Sequence, residues 1–158
     1  MKIKRSQVLM VTIVLVCLSA SVVFAGPRGG GMGAGRAAGG GWGMGTPYQR
    51  MYNPSTVETV SGTVESVEQF TPMKGMYYGI HIMLKTDKEV ISVHLGPAWF
   101  INKQALNIQK GDTIEVKGSR ITFQGKPAII AAEVKKDGKI LELRNSAGIP
   151  VWSRSNIK

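Results

Sequence analysis

The only two histidines of the chain, His81 and His94, are the residues whose spacing most suggests chemistry. They lie in two alternating runs that we predict to be the strands of a β-hairpin turning at residues 86–89. That turn places the two imidazoles opposite each other on the outer side of the hairpin, with Met83 two residues along on the same face. Two imidazoles with a thioether suit copper, and imidazoles alone suit zinc or nickel.

The same pair also has a purely structural interpretation, as two half-exposed histidines on a barrel face that binds no ion. Complete metal sites usually have three or four ligands that are oriented by further hydrogen bonds. We therefore expect no cofactor, and we keep copper or zinc binding as an alternative. Its candidate ligands are His81, His94 and Met83.

Other catalytic groups are not indicated by the sequence. The only cysteine, Cys17, lies in the N-terminal leader, and no paired carboxylates or phosphate-binding loop stand out. The glycine-rich stretch after the leader lacks the preceding strand and following helix that a phosphate loop needs. We expect a protein that is not an enzyme.

Residues 1–25 are typical of a secretory signal. Basic residues within the first five positions precede an apolar run over residues 8–20, and a small-x-small site ends at Ala25. We predict cleavage after Ala25 and a periplasmic or secreted protein. Because the apolar character continues to Phe24, an uncleaved anchor in the inner membrane, with the domain facing the periplasm, is the alternative.

Residues 26–55 are predicted to form a glycine-rich flexible linker. Glycine loses the most backbone entropy on ordering, and this composition offers little apolar area to offset that loss. The alternative is an adhesive arm for an anionic lipid or polymer. Its basic residues would be Arg28, Arg36 and Arg50, and its aromatic residues Trp42, Tyr48 and Tyr52.

The net charge of +10 at first suggests a partner such as nucleic acid or a membrane. Most of that charge lies in the leader, the glycine-rich segment and the C-terminal tail. Between residues 56 and 153, twelve basic residues face all ten acidic residues, which leaves about +2. We do not expect the folded domain to bind nucleic acid, although binding of nucleic acid or an anionic polymer is kept as an alternative.

Residues 56–152 fit one small all-β domain, followed by a tail over residues 153–158. Three strand-like runs, a helix-like stretch and two or three further strands follow one another, with glycine interrupting the first strand at Gly62 and the fourth at Gly118. That order is typical of a small OB-like Greek-key barrel with one short helix between strands 3 and 4. An open β-roll and an SH3-like barrel are the alternatives.

Several marked residues at the junctions of these elements are assigned to structure. Gly96 ends the third strand, and Pro97 is a natural first residue of the helix. Trp99 and Phe100 would close one end of the barrel, because aromatic side chains supply large buried areas in small cores. The turn into the fourth strand is formed by Gly111 and Asp112.

Three aromatic residues are candidates for contact with a ligand or partner. Tyr77 and Tyr78 open the second strand, which lies on the usual binding face of OB folds. Trp152 follows the last strand, where it could pack back on the barrel or anchor the tail at a partner or membrane surface.

Three segments carry a resemblance to a known family: HLGPAWF at residues 94–100, KGDTIEVKGS at residues 110–119 and LRNSAGIPVW at residues 143–152. Together they look like a bacterial exported-domain family related to the magnetosome proteins MamS and MamX, over residues 56–152. The resemblance implies a periplasmic, membrane-associated, β-rich domain with a role in iron or redox biology. MamX-type chains also carry Cys-x-x-Cys-His haem sites. This chain has none, so haem attachment and electron transfer are not implied.

The sequence as a whole therefore predicts an exported, non-enzymatic OB-like binding module of the bacterial envelope. Its partner would be an envelope protein or polymer of unknown identity. Membrane association could come from residues 1–25 or from the basic glycine-rich arm.

Overall fold

A computed structural model describes residues 40–153. The predictions for the leader, for residues 26–39 and for the tail beyond residue 153 lie outside the described residues. Within the described part, no helix is long and apolar enough to cross a membrane.

Six strands and one short helix make up the domain between residues 40 and 153. The strands are β1 (Val57–Phe70), β2 (Gly79–Lys85), β3 (Val90–Pro97), β4 (Thr113–Phe123), β5 (Lys126–Lys136) and β6 (Lys139–Glu142). The helix α1 (Ala98–Ile101) lies between β3 and β4, and 3-10 turns occupy Gln49–Met51, Pro54–Thr56 and Val151–Ser153.

The strands close into a ring. Antiparallel pairing gives the order β3-β2-β1-β4-β5-β6, and a parallel pairing of β3 with β5 joins the two ends of the five-stranded part. That closure runs from Ser92 opposite Ala128 to His94 opposite Ile130. A five-stranded Greek-key ring with a helix between its third and fourth strands is the OB arrangement, so the predicted fold is confirmed.

The β2–β3 hairpin has the predicted register. Ile82 pairs with Val93, and the side chains of both are fully buried. The turn is held by Thr86, whose hydroxyl accepts hydrogen bonds from the backbone amides of Lys88 and Glu89. Alternating apolar residues and a short turn leave only this register available, because a slip of one residue would expose the whole apolar face.

Gly62 in β1 and Gly118 in β4 lie where neighbouring backbone comes too close for a side chain. A Cβ at Gly62 would overlap the carbonyl oxygen of Lys85, and one at Gly118 would overlap that of Ile130. The pairing of β4 with β5 shifts at Gly118, as the sequence predicts. In β1 the shift comes between Val64 and Ser66, shortly after the glycine. Both glycines therefore let long strands bend around the barrel.

The segment over residues 40–53 packs against the barrel, which differs from the flexible linker that its composition predicts. Trp42 and Tyr48 are fully buried and belong to the core. The Trp42 Nε1 donates to the backbone oxygen of Tyr77 at 2.7 Å. Average composition is a poor guide here because two large aromatic side chains supply the apolar area that the surrounding glycines lack. The adhesive-arm alternative requires these rings to be free to stack on a partner, and neither of them is.

One end of the barrel is filled by Trp42 and Trp152, and Trp99 lies at its edge. Trp152 is buried, and its Nε1 donates to the backbone oxygen of Trp42 at 2.9 Å. Phe100 packs on Trp152 with ring centroids 5.2 Å apart, whereas Trp99 stays 37 % exposed. A Cβ at Gly96 would overlap the Trp152 ring, which explains glycine at this position. The prediction that Trp99 closes this end of the barrel is therefore wrong, whereas Phe100 does pack there.

The turn before β4 is stabilised by Asp112. Its carboxylate accepts hydrogen bonds at 2.6 Å from the backbone amide of Gln109 and from the Lys136 ammonium. The bond from Lys136, followed by that from Gln109, lowers the pKa of Asp112. Gly111 has a φ of 92°, which favours glycine. The turn that the sequence predicts at Gly111 and Asp112 is therefore present before β4.

Candidate functional site

A cavity of about 380 Å³ opens over β2 and β3, and we call it the histidine cavity. It lies where OB folds bind their ligands, over strands 2 and 3 and between the loops that follow strands 1 and 4. It is lined by Phe70, Thr71, His81, Met83, Ser92, His94, Phe123, Gln124, Lys126, Pro127 and Ala128.

His94 forms the deep wall of this cavity. It is 1 % exposed, and its Nδ1 lies 2.9 Å from the Tyr48 hydroxyl. The rings of Phe70 and Phe123 flank it, with centroids at 4.4 and 4.8 Å. Burial, together with the smaller effects of the neighbouring charges of His81 and Arg144, lowers the pKa of His94 to about 3. The imidazole is therefore neutral at any pH near 7.

His81 forms the outer wall and is half-buried. Its Nδ1 lies 2.8 Å from the Ser92 hydroxyl, and its Nε2 lies 3.5 Å from a carboxylate oxygen of Glu68. The two imidazole centroids are 6.1 Å apart. Glu68, His81 and His94 are paired neighbours on β1, β2 and β3, so they form a row across three strands.

The predicted meeting of His81 and His94 is confirmed, but His94 is not on an open outer face. The segment that contains Tyr48 covers that side of the hairpin, and burial of Tyr48 raises its pKa so that its hydroxyl stays protonated. The hairpin pattern carries no information about this cover, because Tyr48 is 46 residues away along the chain.

Glu68 is a member of the site that the sequence did not reveal. Its position opposite His81 depends on the register between β1 and β2, which shifts between Val64 and Ser66. Counting residues along the sequence does not locate such a shift. The alternation of inward-facing and outward-facing residues along β1 after the shift is the one sequence signal that could have indicated the position of Glu68.

The donor set around the two imidazoles is incomplete. Within residues 40–153, no three His, Cys, Asp or Glu side chains lie close enough together to hold a metal ion. His81, His94 and Met83 all line the cavity. An ion bound by both imidazoles would fill its remaining positions with the Met83 thioether, water or a carboxylate that moves, such as that of Glu68.

The other predicted contact residues do not join this cavity. Tyr77 and Tyr78 lie just before β2, and the two residues are 64 % and 50 % exposed. Their backbone holds neighbouring segments, since the Tyr77 amide donates to the Gly40 oxygen and the Tyr78 oxygen accepts from the Ala98 amide. The Trp152 ring is buried in the barrel end, so it packs back on the domain.

A comparison with known families identifies the family of the chain. The MamS/MamX magnetosome protein family matches residues 56–141, which is more than half of the chain and covers the barrel from β1 into β6. The chain therefore belongs to this family. A search of the curated proteins gave no match. The cavity-lining residues all lie inside the matched range, whereas Tyr48 lies outside it.

Proposed function

We propose that this member of the MamS/MamX family is an exported, non-enzymatic binding module of the bacterial envelope that takes a transition-metal ion in the histidine cavity. Family membership supports a magnetosome-related protein. The proposal is carried by one observation: His81 and His94 meet across the β2–β3 hairpin, and the Nδ1 of each is held by a hydroxyl group.

The hydrogen bonds at Nδ1 favour coordination through Nε2. The hydroxyl oxygens of Tyr48 and Ser92 can each accept a hydrogen bond from Nδ1–H, and in that tautomer the Nε2 lone pair is available. Metal-binding histidines are usually oriented in this way by an oxygen partner on the other ring nitrogen. Within residues 40–153, the hydrogen bond of the His94 ring is made at Nδ1.

The neutral state of the His94 imidazole also favours metal binding. An imidazole must be neutral to bind an ion, so protons compete with the metal below its pKa. Because the pKa of His94 is lowered to about 3, this competition is absent near neutral pH. Phe70 packs on both imidazoles, with centroids 4.9 Å from His81 and 4.4 Å from His94, and its ring has to turn aside for an ion to bind.

Calorimetric titration of the full chain with Cu²⁺ and Zn²⁺ tests this proposal. We expect one site with a dissociation constant tighter than about 1 μM, and at least a tenfold weaker affinity in His81→Gln. Met83→Leu weakens copper more than zinc if the thioether is a ligand. Met44→Leu is the matched control, because Met44 is exposed outside the cavity. Affinity weaker than about 1 μM for both ions would rule the proposal out.

The position of the cavity and the exposed tyrosines favour a second candidate function, the binding of a single-stranded nucleic acid or other polymer by stacking. It predicts binding of an oligothymidylate that weakens steeply with salt and that is reduced in Tyr77→Ser. Loss of this binding on deletion of residues 26–39 would assign it to the arm. The deletion must stop there because residues 40–53 pack in the fold.

A further inference from the structure

Arg144 is the most unusual charged residue of the described fold. It follows β6, where its backbone amide donates to the Ala132 oxygen, and it is only 3 % exposed. Its guanidinium lies 4.9 Å from the centroid of the Trp152 ring and 6.0 Å from that of Tyr52. Such a buried cation is costly unless it is paired with an anion or hydrogen-bonded.

The hydrogen bonds of Arg144 use only one of its nitrogens. Nη1 donates to the backbone oxygen of Ala131 and, at 3.5 Å, to that of Leu95. Nε and Nη2 have no hydrogen-bond partner within residues 40–153. No ion pair to Arg144 forms among these residues either. Burial lowers its pKa to about 10, which still leaves the group charged at neutral pH.

The two unpaired nitrogens are neighbours on one edge of the guanidinium plane. Nε–H and Nη2–H point in the same direction, and this edge can donate to both oxygens of one carboxylate or phosphate group. Buried polar groups in native proteins nearly always have partners, so two orphaned donors on a charged group need an explanation. A bidentate oxyanion would satisfy both donors and neutralise the buried charge.

A cavity of about 520 Å³ lies beside Arg144, separate from the histidine cavity. Polar residues that can add hydrogen bonds share its wall with the arginine, namely Tyr52, Lys117, Asn145 and Ser146. Glu133 and Glu142 also line it. Lys117 lies opposite Glu133 in the β4–β5 register, and Glu133 lies opposite Glu142 in the β5–β6 register, so one lysine neighbours two acids in this wall. A singly charged group is therefore favoured over a doubly charged one.

We propose that Arg144 and this cavity form a binding site for a small oxyanion, preferentially a carboxylate. The Nε–H and Nη2–H edge of Arg144 binds the two oxygens, and Tyr52 covers the group. Both nitrogens are closed to solvent, so a side chain must move to admit the ligand. We expect the Tyr52 ring to turn, because it lines the cavity and lies 6.0 Å from the guanidinium. Some residues of the site lie outside the range that matches the family, and none of them lines the histidine cavity.

NMR spectroscopy of the full chain tests this proposal through the Nε–H resonance of Arg144. The probes are sodium acetate and sodium phosphate, with sodium chloride keeping the ionic strength constant. We expect a saturable shift with acetate and a weaker response to phosphate. A response to phosphate alone would contradict the carboxylate preference, and a signal unmoved by either anion would overturn the site.

Two variants distinguish a specific site from general charge effects. Arg144→Lys keeps the positive charge but loses the bidentate edge, so we expect acetate affinity to fall at least tenfold. Arg120→Lys is the matched control, because Arg120 already bonds Glu58 and Glu89. If Arg144→Lys does not fold, the Nε–H titration of the unaltered chain still decides the question. Equal acetate affinity in the Arg144→Lys variant and the unaltered chain would overturn the proposal.

Discussion

His94 is the residue whose protonation should most affect the stability of the fold. Its pKa is about 3 in the folded chain, against 6.5 for an ordinary histidine, because burial disfavours the charged ring. The unfolded chain therefore binds a proton first as the pH falls. The stabilisation is complete above pH 6.5 and decreases by about 1.4 kcal/mol per pH unit towards pH 3.

Urea unfolding at several pH values between 4 and 7.5 measures this contribution. We expect His94→Gln to flatten the dependence, since glutamine can still bond the Tyr48 hydroxyl but does not titrate. An unchanged slope in His94→Gln would show that His94 is not the group responsible.

At the scale of single residues, the sequence predicted which side chains meet but not how deeply they lie. Alternating apolar residues and a short turn determine the partners of His81 and His94. Burial of His94 depends on Tyr48 and Phe123, which reach it from distant parts of the chain. The orphaned edge of Arg144 also follows from tertiary packing and has no local sequence signal.

At the scale of elements, the segment over residues 40–53 should contribute directly to stability. We expect Trp42→Ala to lower the free energy of unfolding by about 3–5 kcal/mol, because it empties a fully buried aromatic site. Trp99→Ala should cost clearly less, since Trp99 is partly exposed. Chemical denaturation of the two variants checks this, and equal losses would argue against the packed segment.

A truncation series tests the same segment without a substitution. Removing residues 1–39 should leave the unfolding midpoint nearly unchanged if these residues add nothing to the core. Removing residues 1–53 should destabilise the domain strongly, because Trp42 and Tyr48 are lost and His94 is uncovered. Circular dichroism during heating would measure both. A fully stable chain starting at residue 54 would contradict the structure.

The bend of β1 makes a separate prediction. Gly62→Ala should reduce the free energy of unfolding by about 1–3 kcal/mol, because its Cβ would overlap the Lys85 carbonyl. Ser61→Ala is the matched control, since Ser61 is exposed on the same strand. Denaturant titration of both variants gives the comparison. A Gly62→Ala variant as stable as Ser61→Ala would mean that the strands can separate at little cost.

Glycine positions and alternation were sufficient to predict the strands, but not every boundary. The helix begins at Ala98 rather than at Pro97 as predicted, because Pro97 is the extended N-cap residue that ends β3, and the helix ends at Ile101. The carboxyl end of β1 reaches Phe70, which places this ring on both histidines. Such boundaries depend on what the ends of an element contact in the folded barrel.

At the scale of the whole molecule, the OB barrel followed from the order of elements, whereas the pair of strands that closes it did not. The parallel pairing of β3 with β5 joins strands that are separated by the helix and β4. Hairpin rules apply only to consecutive strands, so they do not predict this contact. The packing of residues 40–53 on the barrel was also not predicted. The high glycine content of this segment suggests flexibility, although Trp42 and Tyr48 belong to the core.

The shared core predicts cooperative unfolding of the described domain. Trp42 and Trp152 pack in the same cluster as the strand residues, so tryptophan fluorescence and far-ultraviolet circular dichroism should report one transition. Both signals can be recorded in a single urea titration. An earlier fluorescence transition would mean that residues 40–53 detach before the barrel unfolds.

The most direct test of metal binding in the histidine cavity is the ¹⁵N spectrum of the imidazoles during addition of Zn²⁺. All imidazole signals come from His81 and His94, the only histidines of the chain. We predict that both Nε2 resonances shift together and saturate at one equivalent of zinc, while both Nδ1 atoms keep their protons. Unchanged Nε2 resonances, or a shift of only one imidazole, would contradict the proposed function.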